Sequence, residues 1–315
     1  MSLTVHVLRR LAGSIPLLLG VTLVSFTLMV HFGPDQTYEL LSKNPTEAEI
    51  AQIRSELGYD RPFWARYAEY VHDLATLDFG HSNATGEQVG RLLARTVPVT
   101  LALLAPGFVL GNGIALALGL VAAWFRGGWL DRTITGLAVV GMSISFLVVL
   151  IAFQAVFGVM LGWFPVRGWD VHDLGSYVEH VTVPTLASVF VALGYNTRFF
   201  RAVLVEETGR DHVRTARAFG APPAEILVRC VLMNSMIPII TRVLFSIPVI
   251  VVSGSLLIET YFGVPGVGRV TYDAILAGDQ PVLKAVVGLT AVLFVLILTA
   301  GDILYRLVDP RVSLR

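Results

Sequence analysis

The residues best suited to bind a partner lie in the segment 211–238, the longest interruption of apolar sequence in the C-terminal half. This segment and the residues just before it are strongly basic. The arginines are Arg198, Arg201, Arg210, Arg214, Arg217 and Arg229. Such a basic segment can dock on a protein in solution or anchor the chain at lipid phosphates. The charges alone leave both functions open.

The order of residues in this segment predicts a short helix with defined ends. Asp211 is placed to cap a helix that begins at His212. Gly220 stands where a left-handed residue would end that helix. Pro222 and Pro223 prevent its continuation and favour a second helix from residue 224 onward. We therefore predict a helix over 212–219 inside a polar loop at 198–235.

The sequence contains no recognisable catalytic or metal-binding motif. It has no G-x-x-x-x-G-K-[ST] loop and no H-E-x-x-H motif, and residues 141–145 fall short of G-x-S-x-G. The seven histidines lack metal-ligand spacing, and the single Cys230 excludes an intramolecular disulfide. We expect no catalytic residue, no bound metal and no cofactor in this chain. A net charge of zero gives no indication of nucleic-acid binding.

Composition indicates a membrane protein. Of the 315 residues, 55% are hydrophobic and 15% are charged, against about a quarter charged in a typical soluble domain. The mean hydropathy is +0.71. The apolar residues form runs long enough to span a bilayer, which takes about 20 residues.

Six membrane spans are predicted, which makes the chain an all-α, multi-pass protein. They are 11–32, 98–125, 133–164, 181–197, 237–258 and 281–305. The second has small residues four apart, which favours close approach of a neighbouring helix; they are Gly107, Gly111, Ala115 and Gly119. The third is too long for one straight span and is expected to tilt or to break near 141–145. Prolines interrupt the fourth and fifth spans at Pro184, Pro238 and Pro248.

Two connections between the spans have a character of their own. Segment 33–97 is polar, with a capping box at Thr46 and Glu49, a helix that ends at Gly58, and a second amphipathic helix after Pro62. We expect it to form a small helical insertion. Segment 259–280 is rich in glycine and is predicted to be a loop.

The distribution of Lys and Arg predicts the orientation. Six spans put both termini and the loops 126–132 and 198–235 on one side, with 13 of the 23 basic residues. The short loops on the other side hold three: Arg167, Arg269 and Lys284. Both termini and the 198–235 loop are thus expected in the cytoplasm, and the 33–97 insertion outside it.

Few polar residues lie in the spans, which disfavours an ion-coupled secondary transporter. Asn112 and Gln154 could line a translocation path or form hydrogen bonds between helices, whereas Arg242 and Asp302 lie near the cytoplasmic ends. The driving energy is therefore expected to come from another subunit. An ATP-independent channel or secondary carrier stays as a remoter alternative.

Several motifs together resemble one transporter family. Residues 211–220 read D-H-V-R-T-A-R-A-F-G, followed by Asn234 and Pro238. This resembles the signature loop of ABC importer permeases, specifically the first permease subunit of the dipeptide/oligopeptide/nickel family. Further matches are E-L-G-Y-D-R-P at 56–62, D-F-G-H-S at 78–82, L-G-W-F-P-V at 161–166, I-E-T-Y-F at 258–262 with P-G-V-G at 265–268, and D-P-R at 309–311.

The sequence departs from the family pattern at a few positions. His212 replaces an aromatic residue, Phe219 replaces a Lys, and Leu77 stands where Gly is usual. Gly33-Pro34-Asp35 replaces G-D-P, and a proline common near 143–146 is missing.

The resemblance implies a type I ABC importer permease fold over residues 1–315 in the bacterial inner membrane. The implied partners are a second homologous permease, forming a heterodimer, two ATPase subunits that bind ATP and Mg²⁺, and an extracytoplasmic substrate-binding protein. Helix 212–219 would be the coupling helix, with the contact made by Asp211, His212, Val213, Arg214, Thr215, Ala216, Arg217, Ala218, Phe219 and Gly220. Peptides are the expected substrate, with nickel, glutathione or another small solute as alternatives.

The outer segment at 259–280 has two possible functions. It could contact the binding protein or act as an external gate, through Glu259, Gly263, Gly266 and Gly268. A purely structural loop is the alternative.

Overall fold

The computed structural model describes residues 3–33, Thr37, 46–56 and 58–308. These residues are almost entirely helical, and the only strand pairing among them is an isolated bridge between His81 and Gln88. The helices are α1 Leu3–Phe32, α2 Glu47–Glu56, α3 Phe63–Thr76, α4 Val89–Trp124, α5 Trp129–Ser143, α6 Phe146–Phe153, α7 Leu174–Glu207, α8 Asp211–Ala218, α9 Pro223–Glu225, α10 Met233–Val249, α11 Ser255–Phe262, α12 Val267–Leu276 and α13 Gln280–Val308. The all-α prediction is confirmed.

Five helical segments in the described residues are long and apolar enough to cross a bilayer. They are Ala12–Phe32, Val89–Trp124, Leu174–Thr208, Pro223–Phe262 and Gln280–Leu307. A sixth span forms if α5 and the helix Phe146–Met160 are counted together, although a bend of 96° separates them. The break predicted near 141–145 is therefore present, between Ser143 and Phe146.

The chain forms two compact units. The first, here the N-terminal unit, comprises Met1–Val99 and Pro265–Thr299, and the second, the central unit, comprises Thr100–Val264 and Ala300–Arg315. Helices α4 and α13 contribute residues to both units.

In the N-terminal unit, α3 packs on α1 through aromatic rings. Phe26 is fully buried, and its ring stacks on that of Tyr70 with centroids 5.6 Å apart. Phe63 and Tyr67 lie beside the same ring, at 5.4 Å and 5.7 Å. The apolar face predicted for the second amphipathic helix is therefore buried against the first span. The capping box of α2 also forms, since the Thr46 N–H donates to Glu49 Oε2 at 2.8 Å.

Asp279 fixes the polar turn that precedes α4. The Ser82 hydroxyl donates to Asp279 Oδ2 at 2.5 Å, and the Asn83 N–H donates to Oδ1 at 3.2 Å. Both partners belong to the N-terminal unit. The D-F-G-H-S motif thus lies in a turn whose free backbone groups are satisfied by a distant carboxylate.

In the central unit, α4 and α7 approach closely at the small residues predicted to allow it. A Cβ atom at Gly107 would lie 2.9 Å from Ser188 Cβ, and one at Gly111 would lie 2.8 Å from Ala192 Cβ. At Gly119 it would lie 3.1 Å from Phe200 Cβ. The spacing of four therefore makes a backbone contact that larger residues would prevent.

Several predicted boundaries are wrong. The second span begins at Val89 rather than 98, and the fourth runs from Leu174 through Pro184 without a break. The predicted loop 259–280 is largely helical, because its glycines Gly263 and Gly266 flank α11 and α12 instead of forming one long turn. The fifth span starts at Pro223 and continues through Pro238 and Pro248, with π-helical stretches at Ile226–Leu232 and Ile250–Gly254.

We predict that Gly111→Val destabilises the chain by about 1–3 kcal/mol, because the added methyl groups overlap Ala192. Gly113→Val is the matched control, since a Cβ at Gly113 meets nothing within 4 Å. The measurement is the thermal unfolding temperature of the purified chain in detergent. An equal shift for both variants would show that the close approach of α4 and α7 does not contribute to stability.

Candidate functional site

Helix α8 is the short basic helix expected from the sequence, but it begins one residue earlier. Asp211 is its first helical residue, and Arg210 precedes it in an extended conformation without a side-chain capping bond. The prediction that Asp211 caps the helix is therefore wrong. The Asp211 carboxylate lies in the first turn instead, where a negative charge is favourable beside free N–H groups. It is 3.7 Å from Arg214 Nη1.

The C-terminal end of α8 matches the prediction. Gly220 has φ +76°, in the left-handed region that favours glycine. The Gly220 N–H donates to Arg217 O at 3.0 Å, and the Ala221 N–H donates to Ala216 O at 3.1 Å. These two bonds form a Schellman motif, which satisfies the last carbonyls of the helix.

One face of α8 is buried in the central unit. Val213 is fully buried in an apolar cluster. Its neighbours there include Phe200 and Leu204 of α7, and Ile226 and Val231 of the π-helical stretch Ile226–Leu232. We call this cluster the Val213 seat. It joins the short helix to the helices on either side of it in the sequence.

The opposite face of α8 is exposed. Phe219, directly after the helix, is 87% exposed, and the side chains of Asp211 and Arg214 are also largely exposed. An exposed aromatic ring beside exposed charges is typical of a surface that binds another protein.

Hydrogen bonds of His212 and Asn234 hold the first turn of α8. His212 Nε2 lies 3.2 Å from Cys230 O and 3.3 Å from Glu207 Oε1. Asn234 Nδ2 lies 3.2 Å from His212 Nε2 and donates to Cys230 O at 2.6 Å. His212 therefore connects α7, α8 and the π-helical stretch Ile226–Leu232. The sequence did not predict this role.

An ion pair with a buried carboxylate lies close to the Val213 seat. Asp131 at the start of α5 is buried and accepts hydrogen bonds from Arg201 Nε and, at 2.7 Å, from Arg201 Nη2. The Gly127 N–H donates to Asp131 Oδ2 at 2.8 Å. Arg201 follows Phe200 of the seat directly, so this pair links the connection before α5 to the C-terminal part of α7.

A second candidate site is a cavity of about 320 Å³ in the central unit. Most of its wall is apolar, and a chain of polar side chains crosses it. Asn196 Nδ2 donates to Asn112 Oδ1 at 3.1 Å, and Arg242 Nε donates to Asn196 Oδ1 at 3.4 Å. The Arg242 guanidinium also lies 5.6 Å from the centre of the Phe199 ring. Asn112 therefore lines a cavity together with Asn196 and Arg242. The sequence alone did not predict that these two residues lie beside Asn112.

The other predicted path residue, Gln154, lies elsewhere. It is buried in the π-helical stretch Gln154–Met160, and its side-chain amide donates to Val166 O. This contact ties the end of the bent span to the following loop.

The residues predicted for an external gate lie in different environments. Glu259 is fully buried on α11, and the Thr100 hydroxyl donates to its Oε1 at 2.6 Å. Gly263 ends α11 with φ +72°, Gly266 precedes α12, and Gly268 is buried within α12. Their proposed role as a gate or binding-protein contact stays a prediction.

Comparison with known proteins identifies the family. Residues 115–314 match the family described as "Binding-protein-dependent transport system inner membrane component", and residues 3–104 match the corresponding N-terminal family. A putative peptide transport system permease protein of Brucella abortus is 31% identical over 98% of this chain and 99% of its own length. The chain belongs to this permease family.

Other relatives of this inner-membrane permease differ in the substrate that their names give. The dipeptide transport permease of Alkalihalophilus pseudofirmus is 30% identical over 98% of this chain and 99% of its own length. The glutathione transport permease of Salmonella typhi is 32% identical over 98% of each chain. The solved inward-facing MetNI methionine ABC transporter has a similar fold, with a TM-score of 0.55 at 24% identity over 69% of this chain and 96% of its own. The permease therefore has the type I ABC importer fold that the family resemblance implied.

The ion pair of this permease is the main feature that sequence reasoning missed. Its partners are 70 residues apart, so no local pattern joins them. The available signal was a lone carboxylate, Asp131, at the start of an apolar run in a basic connection. Such a charge needs a partner when it is buried.

We predict that Asp131→Asn destabilises the permease by about 3 kcal/mol or more, because it leaves Arg201 without its charge partner. The matched control is Asp273→Asn, whose carboxylate lies 3.9 Å from Arg269 on the surface. That change should cost at most about 1 kcal/mol. Thermal unfolding of the purified chain in detergent measures both. Equal losses in the two variants would contradict a structural role for the buried pair.

Proposed function

We propose that this permease forms one half of the translocation path of an ATP-driven importer for short peptides, and that α8 is its coupling helix. The observation that carries the proposal is the two-sided setting of α8. One face is buried in the Val213 seat, and the other exposes Phe219 and charged residues at the surface. A docking element that transmits movement needs both properties.

The contacts suggest how movement passes from an ATPase subunit to the spans. A force on the exposed face of α8 reaches Val213, and Val213 contacts the cluster containing Phe200 and Ile226. These residues lie on α7 and at the start of the Pro223–Phe262 helix. Because interiors are closely packed, the three elements move together rather than deform. His212 and Gly220 keep the ends of α8 in place during that movement.

The proposed assembly is the one that the family resemblance implies. A second homologous permease completes the path, two ATPase subunits bind ATP and Mg²⁺, and an extracytoplasmic binding protein delivers the substrate. The excess of arginine in 126–132, in 198–235 and at both termini supports a cytoplasmic position for α8. The same count supports an extracytoplasmic position for the insertion 33–97.

Short peptides are the proposed substrates because of the names of the relatives. Permeases named for peptides, dipeptides and glutathione each align with almost the whole chain. Nickel or another small solute stays an alternative. Within this proposal, the cavity with Asn112, Asn196 and Arg242 contributes polar groups to the path. Gln154 is less suited to that role, because its amide already binds the Val166 carbonyl.

We predict that Gly220→Val abolishes transport-coupled ATP hydrolysis while the chain still inserts into the membrane. A β-branched residue is strained at φ +76°, so the end of α8 must rearrange. The measurement is ATP hydrolysis by the reconstituted complex with and without substrate-loaded binding protein. Co-purification with the second permease checks assembly.

The matched control is Gly209→Ala, which lies just before α8 and has no positive φ. An added Cβ there meets only Glu206 O, at 3.4 Å. It should retain most of the stimulated hydrolysis. Normal coupled turnover in the Gly220→Val complex would exclude α8 as the coupling helix.

A further inference from the structure

The N-terminal unit contains a cavity of about 350 Å³ that the proposed coupling role does not use. It lies among α3, the turn before α4 and the first turn of α13. Three cationic and three anionic side chains line it: Arg61, Arg66 and Lys284, and Glu69, Asp73 and Asp78. Its size falls within the range of small-molecule sites, about 300–1,000 Å³.

Two of the cations lie beside the same aromatic ring. The guanidinium of Arg66 is 5.9 Å from the centre of the Phe26 ring, and Lys284 Nζ is 5.7 Å from it. Both side chains are half-buried. Among the described residues, neither has a carboxylate oxygen within the 4.0 Å of an ion pair. Two adjacent half-buried cations without such a carboxylate favour the binding of an anion.

Carboxylates line the same cavity. Asp73 is half-buried and forms no ion pair among the described residues. Burial, and then the nearby charge of Glu69, raise the pKa of the Asp73 carboxyl, while the charges of His72 and Lys284 oppose this in part. A cationic group placed next to Asp73 would reverse that effect. Glu69 pairs with Arg61 at 3.0 Å, and both of these side chains are more than half exposed.

The wall of the cavity is fixed by Tyr70. Its side chain is buried, and its hydroxyl donates to Lys284 O at 3.1 Å, which joins α3 to α13. Burial raises the pKa of Tyr70 to about 12, so the hydroxyl stays a neutral donor. Gly288 adds to this contact, since a Cβ there would lie 2.5 Å from Leu74 Cδ1. The charged groups are therefore held on helices that pack closely.

We infer that this cavity binds a small zwitterion, with its carboxylate at Arg66 and Lys284 and its ammonium group at Asp73 and Glu69. A lone anion or a lone cation would satisfy only one half of the charged wall. The free termini of a short peptide supply both groups in one molecule. In this form the inference rests on the proposed function, which gives the peptide as substrate and places α3 outside the cytoplasm.

The test is calorimetric titration of the full-length permease in lipid nanodiscs, without ATPase or binding protein. The probe is the dipeptide Ala-Ala. Two blocked forms are compared with it, N-acetyl-Ala-Ala, which lacks the ammonium group, and Ala-Ala-amide, which lacks the carboxylate. Each blocked form should bind about tenfold more weakly or worse, because it loses one charge-assisted hydrogen bond.

Substitutions assign each end of the ligand. Lys284→Met should weaken Ala-Ala binding about tenfold and reduce the preference for Ala-Ala over its amide. Asp73→Asn should instead reduce the preference over the N-acetyl form. Lys284→Arg keeps the charge and should keep the carboxylate preference, which separates loss of binding from loss of folding. Arg269→Gln is the matched control, because Arg269 belongs to the same unit but does not line the cavity.

Three results with the unmodified permease would overturn the inference. They are no binding of Ala-Ala, equal binding of Ala-Ala and both blocked forms, or acetate binding as tightly as Ala-Ala, which would mean an anion site only. Unchanged preferences in Lys284→Met and Asp73→Asn would also overturn it. Since the titration needs no ATPase, such a failure leaves the coupling role of α8 standing, and loss of that role leaves this titration valid.

Discussion

The candidate coupling site depends on the packing of Val213 in its apolar cluster. A helix of eight residues has little stability of its own in water, because nucleation is costly. Val213 is fully buried against residues from α7 and from the helix that begins at Pro223. This packing lets α8 exist as a rigid element and also connects it to two membrane-spanning helices. The Schellman motif at Gly220 and the contacts of His212 then fix the ends of a helix that tertiary packing already holds.

The charged groups of the two units illustrate different uses of partly buried charge. In the central unit, Asp131 and Arg201 satisfy each other through two hydrogen bonds, and the Gly127 N–H adds a third to the carboxylate. Such a pair is structural. In the N-terminal unit, Arg66 and Lys284 face an aromatic ring. There Arg66, Lys284 and Asp73 line a cavity without forming ion pairs among the described residues, which is the arrangement of a site for a charged ligand.

Local features of this chain could be predicted from the sequence, and distant contacts could not. The left-handed Gly220 and the four-residue spacing from Gly107 to Gly119 follow from steric limits of a few neighbouring residues. The break after Ser143 follows from the length of an apolar run that exceeds one straight span. The predicted cap at Asp211 is wrong because an acidic residue is favourable both at the capping position and at the first helical position. The predicted loop at 259–280 is wrong because Gly263 ends α11 and Gly266 precedes α12. Asn196 and the Asp131–Arg201 pair depend on helix packing, which no local pattern encodes.

The most direct test of the proposed coupling role is photo-crosslinking from the exposed end of α8. The photoreactive residue p-benzoylphenylalanine is placed at Phe219, and the assembled complex is irradiated in membranes. The control position is Trp163, which is also exposed and follows the last helical residue of the bent span, Met160, next to the loop predicted outside the cytoplasm. The account predicts a covalent product between the permease and an ATPase subunit from position 219 and none from position 163. Absence of that product from position 219 in an active complex, or its equal formation from position 163, would contradict the account.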